Sequence, residues 1–199
     1  NMDDKITVTG NPAGDDEEKH PEGEEDQSNK VNMDMGPEIL NLWSSLNFKP
    51  HFALAEFVDN SISSWQQCRE KDPNFPDLEV KIRISESGHP TKGSFIRITD
   101  NAGGITDSEL KNRALRIGAA PDNRDHLNQY GAGMKIAACW FSKDWEIRTQ
   151  SNREDYEKHL VWSTPDLMRN GLNLSWKKEE ADYHGTEITL WNPRSLFKG

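Results

Sequence analysis

The chain has 199 residues, 24 Lys plus Arg against 34 Asp plus Glu, and a formal net charge of -10. That length suits one domain with a sizeable core, or one domain carrying an arm. No apolar run approaches the length that crosses a bilayer or opens a secretory leader, and the acidic balance argues against nucleic acid as a direct ligand of the segment that holds it.

The charge is concentrated at the start. Residues 1–30 hold ten acids against three lysines, about -7 of the total. Such a stretch buries too little apolar surface to offset its ordering entropy, so residues 1–33 are predicted to be an acidic disordered arm, with the folded domain over 34–199. A basic partner would be tolerated there. Cys68 and Cys139 are the only thiols, and their spacing suggests neither a metal site nor a disulfide, so a soluble protein of a reducing intracellular compartment, cytoplasmic or nuclear, is expected.

After the arm, Pro37 can open a short helix with Ile39, Leu40, Leu42, Trp43 and Leu46 at helical spacing. Pro50 starts a longer helix to about Arg69, ended by Asp72, Pro73, Asn74 and Pro76. On this helix Leu54, Val58, Ile62 and Trp65 form one stripe, predicted to be buried, while Glu56, Asn60 and Ser63 cluster opposite. "LEVKIRIS" (78–85) and "SFIRITD" (94–100) alternate as a hairpin with one buried face. Thr106 can cap a helix over 107–117, residues 118–132 read as a mobile loop, and "GMKIAACWF" (133–141) as a buried helix. Strand patterns follow at 145–151, 157–163, 172–176 and 186–191. Helices, a hairpin, helices and then strands in succession predict an α+β fold. The form expected is a two-layer sandwich, its mixed, mostly antiparallel sheet carrying helices on one face.

Four short motifs carry chemistry. In "EFVDN", Glu56 and Asn60 stand one turn apart and can converge on one ligand. "DNAGGI" (100–105) ends a strand with a carboxylate acceptor followed by glycines that let backbone come close. In "YGAGMK" (130–135) two glycines enter an apolar helix whose free N–H groups and dipole suit a phosphate, with Lys135 available as a full charge. "HGT" (184–186) puts Thr186 at a strand start.

In this order and spacing the motifs resemble the boxes of the GHKL superfamily of ATPases: DNA gyrase B subunit, the Hsp-ninety chaperones, histidine kinases and MutL. The resemblance covers residues 37–192. The wording "AEFVDNSI" and "YGAGMKIAA" is most similar to Microrchidia-type ATPases and their bacterial relatives. It implies the Bergerat fold, with ATP and Mg²⁺ as cofactors and a possible homodimer formed on ATP binding. It also implies roles. Glu56 would activate the attacking water and Asn60 would ligate Mg²⁺. Asp100 would accept from the adenine amino group, with Ala102, Gly104 and Ile105 along the base and Thr186 completing its contacts. Gly131, Ala132, Gly133, Met134 and Lys135 would face the phosphates, and the loop 118–132 would be the ATP lid.

Two positions depart from the family pattern: Ala102 replaces a usual glycine, and Ser63 stands where many such helices carry an acid. A γ-phosphate lysine from a second, transducer domain is also implied by the family and is not found after the third box. Three functions therefore compete: an ATP-hydrolysing conformational or dimerisation switch, an ATP- or ADP-binding regulatory module with negligible turnover, and a histidine-kinase-type catalytic domain. The last is disfavoured, because such domains use Asn where Glu56 stands and follow a phosphoacceptor helix that has no counterpart around His51.

Overall fold

Alternating apolar and polar residues build most of the molecule. The computed structural model describes residues 30–32, 36, 38–89, 91–114, 132–181 and 183–194. Gly131 and nearly all of the expected lid therefore lie outside the described residues, as do residues 1–29 of the expected arm. The strands are β1 (Lys30–Asn32), β2 (Val80–His89), β3 (Gly93–Asp100), β4 (Asp144–Gln150), β5 (Tyr156–Ser163), β6 (Asn173–Glu180) and β7 (Gly185–Trp191). They form one seven-stranded sheet in the order β1-β6-β5-β4-β7-β3-β2. Every neighbouring pair is antiparallel, so the mixed character expected of the sheet does not extend to any parallel pair among the described residues. The last strand inserts between β3 and β4, which brings Thr186 level with Asp100.

One face of the sheet is apolar. Trp145 pairs with Trp162 and Ile147 with Leu160 across β4 and β5, and the two tryptophan rings stack at 4.8 Å. Helices α1 (Glu38–Ser45), α2 (Pro50–Lys71) and α4 (Ala132–Phe141) cover this face, contributing Leu40, Trp43, Phe57, Ala137 and Phe141 to the core. Each large apolar side chain so buried stabilises the fold by about 1.5–3 kcal/mol. The opposite face is charged: Arg148 bridges Glu157 at 2.6 Å and Glu179 at 3.0 Å, and His159 meets Glu146 at 3.2 Å. The result is the two-layer α+β sandwich that the order of elements predicts.

Helix α2 turns a different face inward from the one its sequence suggests. Its buried residues are Ala53, Phe57, Ser61 and Cys68, whereas Ile62 is 36 % exposed and Leu54, Val58 and Trp65 are only half-buried. The polar residues next to Phe57 are there to line a cavity, and an amphipathic pattern cannot separate that from facing solvent. Trp65 acts as a clamp instead, donating from Nε1 to Pro76 O at 2.7 Å, with Arg69 over its ring at 5.4 Å.

Thr106 caps α3 (Asp107–Glu109) as expected. Its hydroxyl accepts from Glu109 N at 3.2 Å, and the Glu109 carboxylate accepts from Thr106 N at 2.9 Å, a reciprocal box that satisfies two helix-end donors. The helix is only one turn long before Leu110–Ala114 widen into a π-type turn. Two elements were not anticipated. β1 lies inside the stretch expected to be arm, pairing with β6 from Lys30↔Ser175 to Asn32↔Asn173. α5 (Thr164–Asn170) opens on Pro165 and ends at Gly171. Among the described residues no helix is long and apolar enough to cross a membrane.

Candidate active site

A cavity open to solvent, about 900 Å³ when the solvent at its mouth is counted, lies between α2, the end of β3 and the loop that follows. Of the sequence-predicted residues, Asn60, Asp100, Gly104, Ile105, Met134 and Thr186 line it.

Asp100 is the best-anchored group. Its Oδ2 accepts from Ser61 Oγ at 2.7 Å, and its Oδ1 accepts from Ala102 N at 3.0 Å and Thr186 N at 3.1 Å. A carboxylate offers about four lone-pair sites, so one acceptor position remains. Burial pushes the Asp100 carboxyl above its ordinary value, against the opposing pull of those three donors. Ala102 is buried at 1 % exposure, and Asn192 is the only non-glycine residue among those described with a positive φ. The backbone at 102 therefore accepts a methyl group, and the missing glycine leaves Asp100 in place.

Thr149, which sequence reasoning missed, closes the same wall. Its hydroxyl accepts from Ile105 N at 2.9 Å and lies 3.1 Å from Gly185 O and 3.0 Å from Thr186 Oγ1. Two lone pairs and one proton suffice for all three contacts if Thr149 donates to Gly185 and Thr186 donates to Thr149. Thr186 then presents acceptor lone pairs to the cavity. The signal was legible, since Thr149 follows Trp145 and Ile147 on the inward face of β4, where a hydroxyl must find partners. Ser61 is a second missed residue, directly after Asn60. Gly104 has φ +65°, and a Cβ there would lie 1.9 Å from Gln150 O. Glycine is required at 104 so that this loop can lie against the end of β4.

Glu56 and Gly133 are not among the residues that line this cavity; they meet each other where the first turn of α4 approaches α2. A Cβ on Gly133 would fall 2.1 Å from Glu56 Oε2, so the carboxylate occupies the space that the glycine leaves open. Burial, and then the nearby Asp59, hold the Glu56 carboxyl above its ordinary range. Asn60 is half-buried one turn further along α2. Backbone at Ala132 begins α4. Lys135 is wholly buried and does not belong to the cavity wall; burial lowers its pKa to about 8. Cys139, one turn on, has its thiol pushed up to about 12 by burial. Cys68 and Cys139 are both free and buried. No group of three His, Cys, Asp or Glu side chains that could hold a metal is gathered among the described residues.

No curated protein matches the chain at a significant level. A family model described as histidine kinase-, DNA gyrase B- and HSP90-like ATPase matches residues 48–192, well over half of the chain, from the start of α2 to just past β7. With Asn60, Asp100 and Thr186 gathered on one cavity inside that span, the chain belongs to the histidine kinase-, DNA gyrase B- and HSP90-like family of ATPase domains.

Proposed function

We propose that this domain binds ATP with Mg²⁺, hydrolyses it, and uses the nucleotide cycle as a conformational or dimerisation switch in a soluble intracellular protein of the Microrchidia type. The remaining lone pair of Asp100 accepts from the adenine amino group, with Thr186 as a second acceptor, directly or through a water. Ala102, Gly104 and Ile105 border the base. The first turn of α4, from Ala132 through Gly133 and Met134, turns unpaired N–H groups and the positive end of the helix dipole to the phosphates. Lys135 adds charge to that end whenever it is protonated.

Asn60 supplies an amide oxygen, the kind of hard donor that suits Mg²⁺, which would take its remaining ligands from water and phosphates. When bound, the metal neutralises charge on the transferring phosphoryl group. Glu56 orients the attacking water and takes its proton, helped by an environment that makes it a stronger base than an exposed glutamate.

The observation that carries hydrolysis is the seat of the Glu56 carboxylate against Gly133 at the start of α4. The switch is supported by the four boxes around Glu56, Asp100, Lys135 and Thr186, and the Microrchidia-type assignment by the wording "AEFVDNSI" and "YGAGMKIAA". A phosphate-release assay with Mg-ATP, run beside solution mass with a non-hydrolysable ATP analogue, tests both parts. Release together with a nucleotide-dependent rise in mass is expected; absence of release refutes the enzyme, and constant mass refutes dimerisation. The second reading, a regulatory ATP- or ADP-binding module, is favoured by one observation: Lys135 lies off the cavity wall. ATP affinity without phosphate release would select it.

A further inference from the structure

We propose that the cavity has a second compartment, past the adenine edge, that accepts a substituent on the exocyclic amine of an adenine nucleotide. The inference rests on the adenine reading of Asp100. Helix α2 follows the cavity from Phe57 to Cys68, eleven residues on or about 16 Å of helix. Ser61 ties its own level on the helix to Asp100 at 2.7 Å. Everything that ATP is assigned on α2 lies at or before that level: Glu56, Asn60 and Ser61.

One to two turns further on, the wall consists of Ser64, Gln67 and Cys68 from α2, faced by Glu109, Asn152 and Arg153. None of these is assigned to base, ribose, phosphate or metal. The wall is built: Asn152 N donates to Gly103 O at 3.1 Å, and its side-chain amide donates to Cys68 Sγ at 3.7 Å. In the proposed nucleotide pose the phosphates point the other way, towards Glu56 and α4. An exocyclic amine with one substituent keeps one N–H for Asp100 and sends its other bond away from that carboxylate. Arg153 can lay its guanidinium on an aryl ring, beside the polarisable sulfur of Cys68 and the aliphatic stem of Gln67. The ligand class is therefore an adenine nucleotide with an aralkyl group on its amine.

The probe is N6-benzyl-ATP, titrated by calorimetry beside ATP. The domain should bind the two within about threefold of one another, and Gln67→Trp, which fills the compartment, should weaken N6-benzyl-ATP about tenfold while changing ATP by less than about threefold. ATP bound and N6-benzyl-ATP rejected by the unaltered domain overturns the inference alone. Equal losses for both ligands in Gln67→Trp overturn it too, by making the compartment part of the ATP site. No binding of either ligand removes the adenine reading and this inference with it.

A second measurement needs no variant: an adenosine carrying a chloroacetamide on its amine should alkylate Cys68. The thiolate sulfur forms a C–S bond as the C–Cl bond breaks, chloride leaves, and the thiol proton goes to buffer. Mass spectrometry should place the adduct on Cys68 and not Cys139, with ATP blocking it. No adduct, or one that ATP fails to block, overturns the inference.

Discussion

On the cavity wall Asp100 meets three donors and Thr149 behind it three partners, whereas off that wall, beside α4, no hydrogen bond among the described residues reaches the Glu56 carboxylate, which rests in space left by a glycine. The first arrangement follows from strand register. Once β7 pairs with β3, Thr186 N and Asp100 are neighbours, and the pair is in place before any ligand arrives. The second is held by shape and by displaced ionisation: Glu56 is shifted up and Lys135 down. In the proposed nucleotide cycle, selectivity would thus be hydrogen-bonded into the sheet, while reactivity would be left between two helices, where groups can still change protonation or position.

Five experiments would break or sharpen that contrast. Glu56→Gln should lower turnover roughly 100- to 10,000-fold with ATP affinity retained, measured by phosphate release beside calorimetry. In the unaltered domain the rate should decline on acidification at a pH above the ordinary glutamate value of 4.5, because a raised pKa protonates the base sooner. Lys135 separates the ends through stability. Its folded pKa of about 8 lies below the ordinary 10.5, so between those values the unfolded chain binds more protons and stability rises with pH. Lys135→Met should remove this rise, read from urea midpoints between pH 7 and 10; a slope that persists would exonerate Lys135.

At the recognition end, Asp100→Asn should weaken ATP roughly ten- to hundredfold, with little change in the fold, because the amide oxygen still accepts from Ala102 and Thr186. Unchanged affinity would place the base elsewhere. The smallest effect is expected from Thr186→Val, about three- to tenfold in ATP affinity. A larger loss would show that the wall around Thr149 is less self-sufficient than its bonding implies.

Much of this was readable in the chain. The strands from β2 to β7 follow alternation, and Thr106 with Glu109 announced a helix start. Asp100, Thr186, Asn60 and Met134 all reach one cavity. What the chain could not disclose were contacts between distant segments. Nothing local says that Glu56 needs residue 133 to be bare, or that Thr149 is the partner of Ile105. The inward face of α2 was misread for a related reason: Ser61, Ser64 and Cys68 look solvent-facing unless the cavity is known. β1, three residues at the edge of an acidic stretch, and α5, short and opening on proline, carry too little periodicity to stand out.

The contact between Glu56 and Gly133 couples two positions 77 apart in the numbering. Any descendant that acquires a side chain at 133 must displace the carboxylate, whichever side chain it is, while the wall around Asp100 and Thr149 stays whole. If Glu56 activates water as proposed, loss of hydrolysis lies a single nucleotide substitution away, with the fold kept. Across homologues, a bulkier residue at 133 should travel with relaxed constraint at 56, and lineages bearing that pair would be sensors descended from engines.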